Sequence, residues 1–186
     1  MPRRAITLLL AAVAALAVAG CGTKHAVTTH GATEGVYLDV GPLKYQVQIS
    51  RLLNPYDPED RGYLIGLPGA RSLAATDQWF AVFMRVENGT DRPQRDASDY
   101  AIKDSQGTIF RPVQMGPDNV FAYRAGVIPP RDTEPLPDSP AGQNSIQGAM
   151  LLFKIPTANL ENRPLELSIA PPSGTTGATA TVDLDV

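Results

Sequence analysis

Beyond residue 36 the chain alternates apolar and polar side chains with a period of two. That spacing puts one face of a strand in a core and the other toward solvent. Tyr45, Val47 and Ile49 alternate with Gln46, Gln48 and Ser50. Leu165, Leu167 and Ile169 form a second set, and Val182, Leu184 and Val186 a third. Ala149, Leu151, Phe153 and Ile155 alternate with Gly148, Met150, Leu152 and Lys154. Phe80, Val82, Met84 and Val86 interleave with Trp79, Ala81, Phe83 and Arg85, so this segment is partly apolar on both faces, as in a central strand. Tyr100 and Ile102 lead into Asp104-Ser105-Gln106-Gly107 and then Thr108 to Val113, the signature of a β-hairpin. Pro156 and Pro171-Pro172 stop two strands, because proline has no N–H to give a ladder. No helical period is sustained after residue 20. The pattern predicts an all-β fold, a β-sandwich of about seven strands, with Phe80, Val82, Phe153 and Ile155 in its core. It shows no second hydrophobic system, so one domain is expected over 37–186. Two connections, 54–77 and 114–145, have the length of functional loops.

The first twenty residues carry a different pattern. Arg3 and Arg4 precede an apolar run from Ile6 to Val18, and small residues lead to Cys21. Charge, apolar run and small residues in that order read as a signal peptide over 1–20, and the run is shorter than the roughly 20 residues of a membrane span. Val18-Ala19-Gly20-Cys21 resembles the lipobox of bacterial lipoproteins. That resemblance implies a diacylglyceryl group on the Cys21 thiol and cleavage before it, hence a membrane-lipid anchor and a location at the cell membrane, facing outside the cytoplasm. Residues 21–36, rich in Gly, Thr, Ala and His, read as the lipidated Cys and a flexible tether.

Composition narrows the function. The 186 residues carry a formal charge of −3, and removing the two arginines of the first twenty takes it to −5. With no cationic stripe to displace counterions, nucleic acid is not an expected partner. A single Cys excludes an intrachain disulfide. The only two His, His25 and His30, fall in the predicted tether, so a Ser-His-Asp triad has no base in the domain.

A family resemblance appears over Trp79 to Ile155. A strand ending Val86-Glu87-Asn88, the hairpin from Asp99 to Phe110, the Val127-Ile128-Pro129-Pro130 turn and the closing strand from Gly148 to Pro156 resemble the immunoglobulin-like extracellular domain of many bacterial lipoproteins of uncharacterised function. That domain is similar in fold to the secreted immunogenic antigen of mycobacteria. The resemblance implies an immunoglobulin-like sandwich in the cell envelope and carries over no catalytic or binding residues.

Candidate chemistry is sparse. Asp57, Glu59 and Asp60 form one acidic group and Asp96, Asp99 and Asp104 another, but both lie where Asp favours turns. Asn54, Asp57, Glu59 and Asp60 offer hard oxygen ligands for Ca²⁺ without the spacing of a calcium loop, and Arg51 and Arg61 can neutralise them. Asn88-Gly89-Thr90 is read as a turn rather than a glycosylation site. The expectation is a non-enzymatic binding domain with no cofactor and no metal. Its partner would be an envelope protein or a wall polymer, met through Tyr56, Arg61, Tyr63, Tyr123 and Arg124 on the two long loops and Arg51 beside the first. Alternatives are a small envelope hydrolase using loop carboxylates, or a metal-handling lipoprotein in which the tether His fold back.

Overall fold

The computed structural model describes residues 26–185. The predicted signal peptide, Cys21 and His25 lie outside the described residues. Seven described strands have four or more residues: β2 (Tyr37–Val40), β3 (Leu43–Leu53), β4 (Asp77–Glu87), β6 (Asp99–Lys103), β10 (Ala149–Pro156), β11 (Leu165–Ala170) and β12 (Ala180–Leu184). Five two-residue strands fill the gaps: β1 (His30–Gly31), β5 (Gln94–Arg95), β7 (Ile109–Phe110), β8 (Val127–Ile128) and β9 (Thr133–Glu134).

The strands make two five-stranded sheets. One runs β1-β12-β11-β6-β7; the other runs β10-β4-β3-β2, with β9 extending the β10 side of β4. A two-stranded ribbon, β5-β8, lies apart from both. The inner faces enclose one core that includes Leu38, Tyr45, Val47, Phe80, Val82, Met84, Phe153, Ile155, Leu167 and Val182. Phe80, Val82, Phe153 and Ile155 are all fully buried, as the period-two pattern predicts. The hairpin also forms as predicted: Ile102 pairs with Phe110 and Lys103 with Ile109. Asp104 closes its turn, accepting from the backbone N–H of Gln106 and Thr108, and Gly107 takes the positive φ of 88° that the turn requires.

The structure corrects three expectations. A second hydrophobic system exists. Trp79, Ala81 and Phe83 of β4, with Met150 and Leu152 of β10, point outward and are buried with Leu53, Tyr63, Leu64 and Met115. A layer drawn from residues 63–73, 113–122 and 146 covers them. The two-sided apolar character of β4 and β10 thus has a direct cause: one face meets the other sheet, the opposite face meets this layer. Glycine permits the layer to close. A Cβ on Gly116 would lie 2.9 Å from the Gly66 carbonyl oxygen, so only a bare Cα lets the two loops cross.

Ile49 does not point inward with Tyr45 and Val47. Val47 pairs with Met84 but Ile49 pairs with Phe83, so β3 carries a bulge at Gln48. The extra residue turns Ile49, Arg51 and Leu53 to the outer face and leaves Ser50 inside. Glu34 holds the bulged segment, accepting from both the backbone N–H and the hydroxyl of Ser50.

The tether ends before residue 36. His30 and Gly31 pair in parallel with Thr181 and Val182. Thr28 accepts from the backbone N–H of Asp39 at 2.6 Å, and Thr29 from that of Thr181 at 2.8 Å. Residues 28–31 therefore bridge β2 of one sheet and β12 of the other. The Gly-Thr-Ala-His composition hides this, because a two-residue strand has no period to read.

Candidate functional site

The two long loops meet on the outer face of the β10-β4-β3 sheet. The first begins with a tight acidic turn. The Asn54 side chain accepts from the Tyr56 backbone N–H, and Asp57 accepts from those of Glu59 and Asp60. These Asx turns feed a single helical turn, Asp60–Tyr63. Asp60 is buried, ion-paired to Arg51, and accepts from the Asn54 backbone N–H at 2.7 Å. The predicted Arg–carboxylate pairing is present, but under the loop rather than on its surface. Arg61 is exposed.

Tyr63 is the joint between the loops. It is 7% exposed, and its ring meets Phe83 and Phe121 edge-on, each at 4.9 Å between centroids. Its hydroxyl accepts from the Asn144 side chain at 2.8 Å. Asn119 donates to the Tyr63 and Ile65 carbonyls at 2.8 and 2.9 Å. Asn119 and Asn144 were not singled out in the sequence; their isolated amides carry no motif that could have found them.

Five of the six candidate residues line three grooves; Arg61 lines none of them. Arg51 and Tyr63 line one of about 430 Å³, with Ile49, Glu59, Phe121, Asn144, Ser145 and Ile146. Tyr56, 70% exposed, lines a second of about 400 Å³ between Leu52 and Ala75. Its phenol donates to the Arg71 carbonyl at 3.2 Å, which fixes an aromatic ring in solvent. Tyr123 and Arg124 line a third, of about 340 Å³, beside Tyr100 and Leu151. Arg124 donates to the Gly116 carbonyl at 2.6 Å.

Tyr123 also belongs to a buried polar cluster. Its one hydroxyl proton is shared between Asp96, at 2.7 Å, and the Ala97 carbonyl, at 2.9 Å, and its ring stands edge-on to Tyr100 at 5.3 Å. Tyr100 donates to the same carbonyl at 3.0 Å, and the Tyr45 hydroxyl accepts from the Ala97 N–H at 2.7 Å. Burial drives the pKa of Asp96 upward, against the pull of the Tyr123 and Gly126 hydrogen bonds, and pushes all three phenols up. Glu134 rises to about 6, first by burial and then by its neighbours Asp96 and Asp132.

The other predicted acidic group is dispersed. Asp99 pairs with Arg111, while Asp104 accepts from Asn159 and Asn162 at 2.9 and 3.1 Å. Those bonds, Asn159 foremost, hold its carboxyl well below the usual range. His30 shares a 2.9 Å hydrogen bond with Thr181. Among the described residues, no three His, Cys, Asp or Glu side chains are grouped to hold a metal ion. Asn88 is buried: it donates to the Arg92, Ile128 and Pro129 carbonyls and accepts from Thr90. Its side chain holds a bend through Thr90, but neither Asn88 nor Gly89 takes the positive φ expected of an Asn-Gly turn.

Fold and site together define an all-β sandwich with a grooved outer layer. No family model matches the chain, and no curated protein does. Among solved structures, a functionally unknown protein of Listeria monocytogenes EGD-e superposes with a TM-score of 0.51 at 8% identity, covering 83% of this chain and 85% of that one. An uncharacterised β-sandwich protein of Clostridium difficile 630 gives 0.45 at 10% identity, covering 88% and 99%. A "putative lipoprotein" of Bacillus subtilis, ycdA, gives 0.46 at 13% identity over 79% of this chain; the match spans 38% of the length of ycdA. At these identities the likeness is one of fold.

Proposed function

We propose that this chain is a lipid-anchored, non-enzymatic binding domain at the outer face of a bacterial membrane, joined to the bilayer through acylated Cys21. The observation that carries the reading is the Val18-Ala19-Gly20-Cys21 junction at the end of a well-formed apolar run, with the thiol that accepts lipid being the only Cys in the chain. Position supports it. His30 is nine residues beyond Cys21, so strand β1 begins within about 30 Å of the lipid even on a fully extended chain. Thr28 is bonded to β2 beside the β2–β3 turn, whereas Leu53 ends β3 eleven residues later. At about 3.3 Å per residue, the 54–77 loop starts near the end of the sandwich remote from the anchor.

A binding role is favoured over a hydrolytic one because the candidate carboxylates other than Glu59 are engaged. Asp60 is tied to Arg51, Asp96 to Tyr123, Asp99 to Arg111 and Asp104 to two asparagines. A pair of carboxylates facing across a cleft is what glycoside hydrolysis would need. The partner is an envelope protein or a wall polymer.

The test is metabolic labelling with an alkyne fatty acid, followed by membrane fractionation. Wild-type chain should take the label and sediment with membranes; Cys21→Ala should lose both. A wild-type chain that takes no label refutes the anchor.

A further inference from the structure

The groove of about 430 Å³ between the two loops has the size of a small-ligand site. It is the only one of the three grooves described above with walls from both long loops. We propose that it binds a neutral saccharide unit; this rests on the binding-domain reading and gives that domain a ligand class.

The argument is from complementarity. The lining carries three apolar side chains, Ile49, Phe121 and Ile146, beside the Tyr63 ring. Glu59 and Arg51 line the same groove. Arg51 spends one arm on Asp60 and is 36% exposed, so its remaining N–H groups are free to donate. Glu59 is exposed and its carboxylate accepts nothing from the described residues, so it can take two hydroxyl protons. The Tyr63 hydroxyl accepts from Asn144, which leaves its own proton to donate.

Charge decides between ligand classes. Arg51 is paired with Asp60 and the lining holds no other Lys or Arg, so a phosphate or carboxylate finds no unpaired cation there. A cation would meet a single free carboxylate with a guanidinium beside it. A neutral polyhydroxylated ring satisfies the whole set. Its hydroxyls donate to Glu59 and accept from Arg51 and Tyr63, while its C–H face packs on Phe121 and Ile146. The rim keeps one hydroxyl, on Ser145, bonded to Asn144 at 3.2 Å.

The experiment titrates the full chain, in phosphocholine micelles that carry no sugar headgroup, with chitotriose, maltotriose and mannotriose. Glucuronic acid and glucosamine serve as charged controls. Saturation-transfer NMR reports contact. A neutral trisaccharide should bind in preference to either charged control. Glu59→Gln should weaken it about tenfold, as expected for losing hydrogen bonds to a charged group. Ser145→Trp, which fills the rim, should abolish binding. Ile109→Thr, 58% exposed on the other sheet, should leave it unchanged. Both groove variants change exposed side chains, and an unchanged melting temperature confirms their fold. Absence of binding by all three trisaccharides, preference for a charged control, or binding that survives both groove variants overturns the proposal. A photo-crosslinker at Tyr56 that captures an envelope protein while no saccharide binds retains the binding-domain reading and overturns this one. Saccharide binding by a Cys21→Ala chain that takes no lipid supports this site whatever becomes of the anchor.

Discussion

Replacing Tyr63 with Ala tests whether the outer layer is a true second core. The side chain is 7% exposed and packs between Phe83 and Phe121. Truncating a buried aromatic costs about 3–5 kcal/mol, part in lost transfer energy and part in the cavity. Each edge-on ring contact is worth a further 0.5–1.5 kcal/mol, roughly, and both are already within a truncation of this size. The Asn144 amide loses its acceptor but lies near the surface, where water replaces it at small cost. For a chain of this length, about 2–4 °C of melting temperature accompanies each kcal/mol, so Tyr63→Ala should melt roughly 6–20 °C lower. Tyr56→Ser is the matched control: that ring is 70% exposed, and the change should stay within about 0.5 kcal/mol. Urea unfolding followed by Trp79 emission is the assay, because Trp79, the single Trp in the chain, is bonded through its indole N–H to the Ala70 carbonyl of the layer itself. A loss below about 1 kcal/mol for Tyr63→Ala, with a single transition retained, would refute the claim that the layer is part of the cooperative core.

Three further outcomes follow from the same structure. Phe153→Ala removes a fully buried ring from the inner core and should cost roughly 3–5 kcal/mol in urea unfolding. Asn88→Ala removes the side-chain donor of the Ile128 and Pro129 carbonyls and the acceptor of the Thr90 N–H, while the Arg92 carbonyl keeps the Thr90 hydroxyl; calorimetry should show a loss of more than about 2 kcal/mol, against near-neutrality if Asn88 were a surface residue. The third concerns pH. Glu134 titrates near 6 in the fold against an ordinary 4.5, so the unfolded chain ionises first and this group's contribution is lost as pH rises from about 4.5 through 6. Asp96, also raised, acts in the same sense, whereas Asp104, held low, withdraws stability only as pH falls below its ordinary value. Melting curves across that window should decline less steeply for Glu134→Gln than for wild type; identical slopes would contradict the assignment.

The strands were legible because a period of two survives local reading. Phe80, Val82, Phe153 and Ile155 sit where their alternation predicts, and the Asp104–Gly107 turn closes the hairpin that its residue types demand. The two-sided run from Trp79 to Val86 reads as a central strand apolar on both faces, with no second hydrophobic system expected. What covers the second face of β4 was not readable, because the layer is made of loops whose apolar residues, Tyr63, Leu64, Met115 and Phe121, follow no period. The bulge at Gln48 was equally hidden: one extra residue leaves the sequence alternation intact while reversing which face every later side chain occupies.

The candidate residues divide the same way. Composition singled out the two loops, since aromatics and arginines stand out in any segment. It could not say that Tyr63 would be buried as the joint between the loops, that Tyr123 would serve Asp96, or that Tyr56 would be held rigid in solvent. Those outcomes depend on which carbonyl or ring each side chain meets across 15 to 81 residues of chain. Periodicity is a property of neighbours in sequence, and it determined the sandwich; a groove is a property of neighbours in space, and only the packing of the two loops on the outer sheet decided where one would form.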